Sequence, residues 1–66
     1  MNQTLMPIRD IYGYTYTVAL EDWVATTYQE NTVTFEFANE DYYRAIVVSL
    51  YKALMITKIL NKVIER

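Results

Sequence analysis

The stretch Thr32–Leu50 reads TVTFEFANEDYYRAIVVSL, and the break at its centre decides the fold. Before the break, Val33, Phe35 and Phe37 recur at every second position, the signature of a half-buried strand. After it the period of two gives way. Asn39 is a good helix N-cap, because its side-chain oxygen can accept a first-turn N–H, and Glu40 and Asp41 follow where acids favour the helix dipole. No helix breaker intervenes before Arg66, while Lys58, Lys62 and Arg66 gather toward the end, where cations are favoured. The pattern predicts a strand over Thr32–Phe37 and one helix from Glu40 to about Ile64, roughly 37 Å long.

Working toward the N-terminus, Gln29-Glu30-Asn31 has turn chemistry and Trp23–Tyr28 reads as a strand. Glu21-Asp22 breaks another alternating run, Ile11–Leu20, in which Tyr12, Tyr14, Tyr16, Val18 and Leu20 share one parity. Pro7 ends a short lead-in. The expected architecture is a single α+β domain over residues 1–66, β-β-β-α in order. It has a lead-in over 1–9, a three-stranded antiparallel meander over 10–38, and a helix over 39–66 packed on one face of the sheet.

Two registers are open for the first strand. A two-residue Glu30-Asn31 loop sets Tyr28 across from Val33 and Val24 across from Phe37, which puts Val24, Tyr28, Val33, Phe35 and Phe37 on the core face. A two-residue turn at Glu21-Asp22 then pairs Leu20 with Trp23 and turns Tyr12, Tyr14 and Tyr16 away from the helix. A three-residue loop pairs Leu20 with Val24 and turns them inward. A one-residue slip reverses every side chain. The second register sorts Thr15, Thr17, Thr27, Thr34 and Glu36 onto one wet face and is the one expected.

On a helical wheel, Tyr42, Ile46, Leu50, Ala53, Leu54, Ile56, Leu60, Val63 and Ile64 make a broad face for the sheet. Arg44, Lys52, Lys58 and Lys62 lie opposite. Val48, Tyr51, Met55 and Ile59 run among those cations as a second apolar stripe. A three-stranded sheet covers only one side of a helix, so this stripe predicts an interface. Packing of two such helices across a two-fold axis is its simplest form, with Tyr51 and Met55 at the centre.

Composition narrows the chemistry. The 66 residues contain no cysteine and no histidine, one glycine and one proline, with seven Tyr, two Phe and one Trp. Disulfides and thiolate or imidazole metal sites are excluded, and with them Ser-His and Cys-His nucleophiles. The single Gly13 makes no phosphate loop. The adjacent acids Glu21-Asp22 and Glu40-Asp41 read as turn and first-turn residues. No enzyme activity, cofactor or metal is expected. The stretch Ala45–Leu60 is too short and too charged for a membrane span, and Met1–Leu5 lacks a signal-peptide pattern. A cytoplasmic protein is expected.

Net charge is −2, yet it is polarised. Residues 1–41 hold seven acids against Arg9 alone, a net of −6, and residues 42–66 hold five bases against Glu65, a net of +4. An acidic first half argues against phosphate contacts, so direct nucleic-acid binding by a tyrosine-rich sheet is a lesser alternative. In size, acidity and element order the chain resembles the small acidic inhibitors encoded by phages and mobile elements, without a motif specific to one family. That resemblance implies a host protein as target, possible through acidic mimicry of DNA toward a nucleic-acid-processing enzyme. The expected function is therefore a homodimeric inhibitor or adaptor. Self-association would run through Val48, Tyr51, Met55 and Ile59, and partner binding through Glu21, Asp22, Trp23 and Glu30. A purely structural assembly subunit is the competing class.

Overall fold

The computed structural model describes residues 3–64. It has five strands and one helix: β1 (Leu5–Arg9), β2 (Thr15–Ala19), β3 (Trp23–Tyr28), β4 (Thr32–Ala38), β5 (Tyr43–Ser49) and α1 (Leu50–Ile64). A short 3-10 turn, Leu20–Asp22, links β2 to β3. A three-stranded antiparallel sheet in the order β3-β4-β5, followed by a C-terminal helix, gives the α+β meander-plus-helix expected, and β1 and β2 add a separate two-stranded sheet.

The strands that make the meander are displaced by one from the expectation. Tyr43–Ser49 is not the start of the helix but the third strand. Asn39 does use its side-chain oxygen as a cap, accepting the N–H groups of Asp41 (2.7 Å) and Tyr42 (3.2 Å), but the turn so formed joins two strands. The same side-chain chemistry serves hairpins and helix starts. What decides between them is Ile46-Val47-Val48. Three consecutive β-branched residues crowd a helix and suit a pleated sheet. Ile46 and Val48 face inward opposite Phe35 and Val33, and Arg44 takes the remaining inward position opposite Phe37. A charged residue on the inner parity masks the alternation.

Residues 1–9 are likewise more than a lead-in. Leu5–Arg9 pairs with Thr15–Ala19, with Ile8 buried. Pro7 lacks an N–H but is tolerated in a two-stranded sheet, where one side of each strand is an edge. Only Thr15–Ala19 of the run from Ile11 is strand, because Asp10–Tyr14 is the turn. There the Asp10 carboxylate accepts the N–H groups of Tyr12 and Tyr14, both at 2.9 Å, and Gly13 adopts φ +95°. Neither register considered for Leu20 occurs. Leu20 is the fully buried start of the 3-10 turn, and the chain leaves one sheet for the other instead of forming a hairpin with β3. The terminal residues Met1, Asn2, Glu65 and Arg66 lie outside the described residues.

One apolar core joins all the parts. Val33, Phe35, Phe37, Ile46 and Val48 come from the sheet, Ile8 and Val18 from the hairpin, Leu20 from the turn, and Ala53, Ile56 and Leu60 from the helix. No polar or charged residue is buried among the described residues. Each large side chain buried here contributes roughly 1.5–3 kcal/mol of transfer free energy. Hairpin and helix thus share the inner face of the meander, and its outer face, carrying Thr32, Thr34, Glu36 and Thr27, is left to solvent.

Candidate interaction surface

The expected self-association stripe divides. Val48 is buried in β5 and is not available, and Ile59 is half-buried against the core. Tyr51 and Met55 are exposed one helical turn apart, and each borders a different pocket. Met55 borders β1, in a cleft with Met6, Pro7 and Ile59. Tyr51 lines a separate groove.

That groove has a volume of about 340 Å³ and lies between α1 and the Tyr28 end of the sheet. Its walls are Tyr28, Val33, Leu50, Tyr51, Ala53 and Leu54, with Thr57 and Lys58 at the rim. Val33 and Ala53 form a buried floor. Tyr28 is 68% exposed, Tyr51 77% and Leu54 65%, with Leu50 at 46%. Tyr28 does pair with Val33, as the two-residue loop predicts, but the helix does not reach over it. Val24 departs from expectation too. A bulge between Trp23 and Ala25 sets Trp23, not Val24, opposite Phe37, and leaves Val24 59% exposed.

The helix leaves this flank open because of where it starts. Ser49 accepts the Lys52 N–H through its hydroxyl at 3.1 Å, the N-cap geometry. Helix numbering from Leu50 turns Ala53, Ile56 and Leu60 onto the core, and Leu50 and Leu54 fall one row to the side. Read from an Asn39 cap, Leu50 and Leu54 fall on the core face, as Tyr28 does from the sheet register. Ser49 just before a new 3.6-residue period was the signal that locates them.

The expected partner-binding residues are partly brought together. Glu21 accepts the backbone N–H (2.9 Å) and hydroxyl (2.7 Å) of Thr4. Asp22 accepts the Asn39 amide (3.0 Å) and the Tyr42 hydroxyl (3.2 Å), and burial together with that bond to Asp22 raises the Tyr42 phenol above its ordinary pKa. The Trp23 indole N–H is shared between Thr26 Oγ1 (2.9 Å) and the Ala25 carbonyl (3.1 Å). Glu30 stands apart, in the turn at the far end of β3, about 20 Å away along a six-residue strand. The tyrosines Tyr12, Tyr14 and Tyr16 do not form one platform either. Tyr12 and Tyr14 are exposed at the hairpin turn, and Tyr16 packs beneath Arg44.

Among the described residues no group of acids is arranged to hold a metal ion, and no helix is long and apolar enough to cross a membrane. No protein-family model, curated protein or solved structure matches this chain.

Proposed function

We propose that this chain is a non-catalytic protein-interaction module that works as a homodimer, with the groove beside α1 as its self-association face. The observation that carries this is one continuous apolar surface made by Tyr28, Leu50, Tyr51 and Leu54. Taking about 200 Å² for a large side chain, the exposed parts of these four amount to roughly 500 Å². The largest apolar patch on an ordinary monomer is about 300–600 Å², and such patches are often functional. Tyrosine and leucine around a buried floor also match the anchor-and-pocket pattern of interface centres.

Within this reading, a role as an adaptor toward a host protein is favoured over acidic mimicry of DNA. Asp10, Glu21, Asp22 and Glu36 all accept hydrogen bonds from within the chain. The exposed acids Glu30 and Glu40-Asp41 cap opposite ends of β4, about 23 Å apart, and do not line up as a row of phosphates would.

Sedimentation velocity from 1 to about 100 µM tests the proposal. Wild type should sediment as a dimer in the micromolar range. Leu54→Arg should be monomeric with an unchanged circular dichroism spectrum, because the position is exposed. Met55→Glu, which does not line the groove, should remain dimeric. A wild-type monomer throughout the range overturns the reading.

A further inference from the structure

The geometry points to how the second copy docks: β3 pairs edge to edge with β3 of the partner, antiparallel and centred on Thr27, so that the two grooves close on one another. This rests on the self-association reading above and specifies its contact.

The sheet has two edges, and they differ. The outer edge of β5 is met by the hairpin, whose Ile11 N–H donates to the Val47 carbonyl at 2.9 Å. The outer edge of β3 has no backbone partner among the described residues. Its sequence, Trp23-Val24-Ala25-Thr26-Thr27-Tyr28, contains neither proline nor charge, the usual guards of an open edge, and the bulge protects only its first half.

The hydrogen-bond phase identifies which groups face outward. Gln29 N–H donates to the Thr32 carbonyl at 2.9 Å. Alternation along an antiparallel ladder then directs the backbone groups of Thr27 and Ala25 toward β4, and those of Tyr28 and Thr26 toward the open edge. Three symmetric registers use those outward groups, centred on Thr26, Thr27 or Tyr28. Centring on Thr26 needs the groups of Val24, the bulged residue without a β4 partner, and centring on Tyr28 needs those of Glu30 in the turn. Centring on Thr27 pairs Thr26 with the partner's Tyr28 and Tyr28 with the partner's Thr26, exchanging four hydrogen bonds within the regular part of the strand. The bulge at one end and the turn at the other select the register centred on Thr27.

Tyr28 belongs to both features, since it ends β3 and walls the groove. Its side chain shares the inner face with Val33, so joining the edges carries the partner's Tyr28 to the mouth of this groove. Area points the same way. A stable interface buries about 800 Å² per partner, more than the roughly 500 Å² of groove side chains supply. The strand edge beside it provides the remainder.

A cysteine-free chain makes the test direct. Thr27 is exposed on the outer face, at the dyad of the proposed pair and in a non-hydrogen-bonded position, where Cα atoms approach to about 4.5 Å, within disulfide reach. Full-length Thr27→Cys, oxidised with copper-phenanthroline at about 20 µM, should convert mostly to a covalent dimer. Thr34→Cys, on the same face of the central strand, should cross-link at least tenfold more slowly. Equal rates for the two, in a protein that sediments as a dimer, overturn edge pairing and leave docking by the helix alone. A monomer by sedimentation overturns both readings. Amide hydrogen exchange of the wild type gives a second readout: protection at Thr26 and Tyr28 should rise with protein concentration, and concentration-independent fast exchange there contradicts the pairing.

Discussion

The guanidinium carbon of Arg44 stands 4.4 Å from the centroid of the Tyr16 ring, so that a cation from β5 covers an aromatic face on β2. The contact crosses from one sheet to the other and explains how a charged side chain holds an inward position in the meander. A cation over a ring is worth about 0.5–1 kcal/mol at partly exposed sites. A double-mutant cycle with Arg44→Met and Tyr16→Leu, which keep apolar bulk, should return a coupling of that size in urea unfolding. Zero coupling would mean that the two side chains stabilise the fold only through their separate packing.

Two phenols connect stability to alkaline pH. The Tyr42 hydroxyl is raised from its ordinary pKa by burial and by donating to Asp22, and that of Tyr43 by donating to Glu36 at 2.9 Å. A group whose folded-state pKa exceeds the unfolded value stabilises fully below the unfolded value, here about 10, and loses that contribution as pH rises through the folded one. Thermal midpoints should therefore fall above pH 10. Tyr42→Phe/Tyr43→Phe should start lower at neutral pH and fall less steeply. Parallel curves for the two proteins would contradict this assignment.

How much of this was legible beforehand depends on where side-chain parity and local chemistry agree. On β4 they agree, and Val33, Phe35 and Phe37 are core residues as their alternation predicts. The Tyr28–Val33 pairing follows from a two-residue loop. On β5 they conflict, because Arg44 occupies the inner parity and Asn39-Glu40-Asp41 imitates a helix start. Pro7 hides β1 in the same way, since its strand survives only by pairing beside a free edge. The groove is hidden for the same reason, since a helix that starts ten residues later leaves Leu50, Leu54 and Tyr28 at the surface.

The hairpin turn depends on one backbone conformation. Gly13 has φ +95°, which L-residues adopt at a cost of about 1–2 kcal/mol. A methyl group added there meets only the Arg9 guanidinium, at 3.8 Å, so space is not the obstacle. Part of the cost is offset because alanine also restricts the unfolded chain. Gly13→Ala should therefore destabilise by about 1 kcal/mol, read as a lower urea midpoint at constant slope. An unchanged midpoint would show that the turn relaxes to negative φ without disturbing the Asp10 bonds to Tyr12 and Tyr14.

Ser49 separates the observed chain path from the longer helix in the sign of one substitution. Here its hydroxyl accepts the Lys52 N–H at 3.1 Å and caps α1. Loss of such a cap costs about 1 kcal/mol. Inside a helix running from Glu40, the same serine would be an interior residue, and alanine there would stabilise by up to about 0.5 kcal/mol through its higher propensity. Ser49→Ala should lower the urea midpoint and speed hydrogen exchange at Tyr51 and Lys52. It should leave Arg44, Ile46 and Val48 protected, because those amides face β4 in the ladder and owe nothing to the cap. A raised midpoint would mean that the strand-to-helix junction at Ser49–Leu50 is misplaced, and the groove built on it with it.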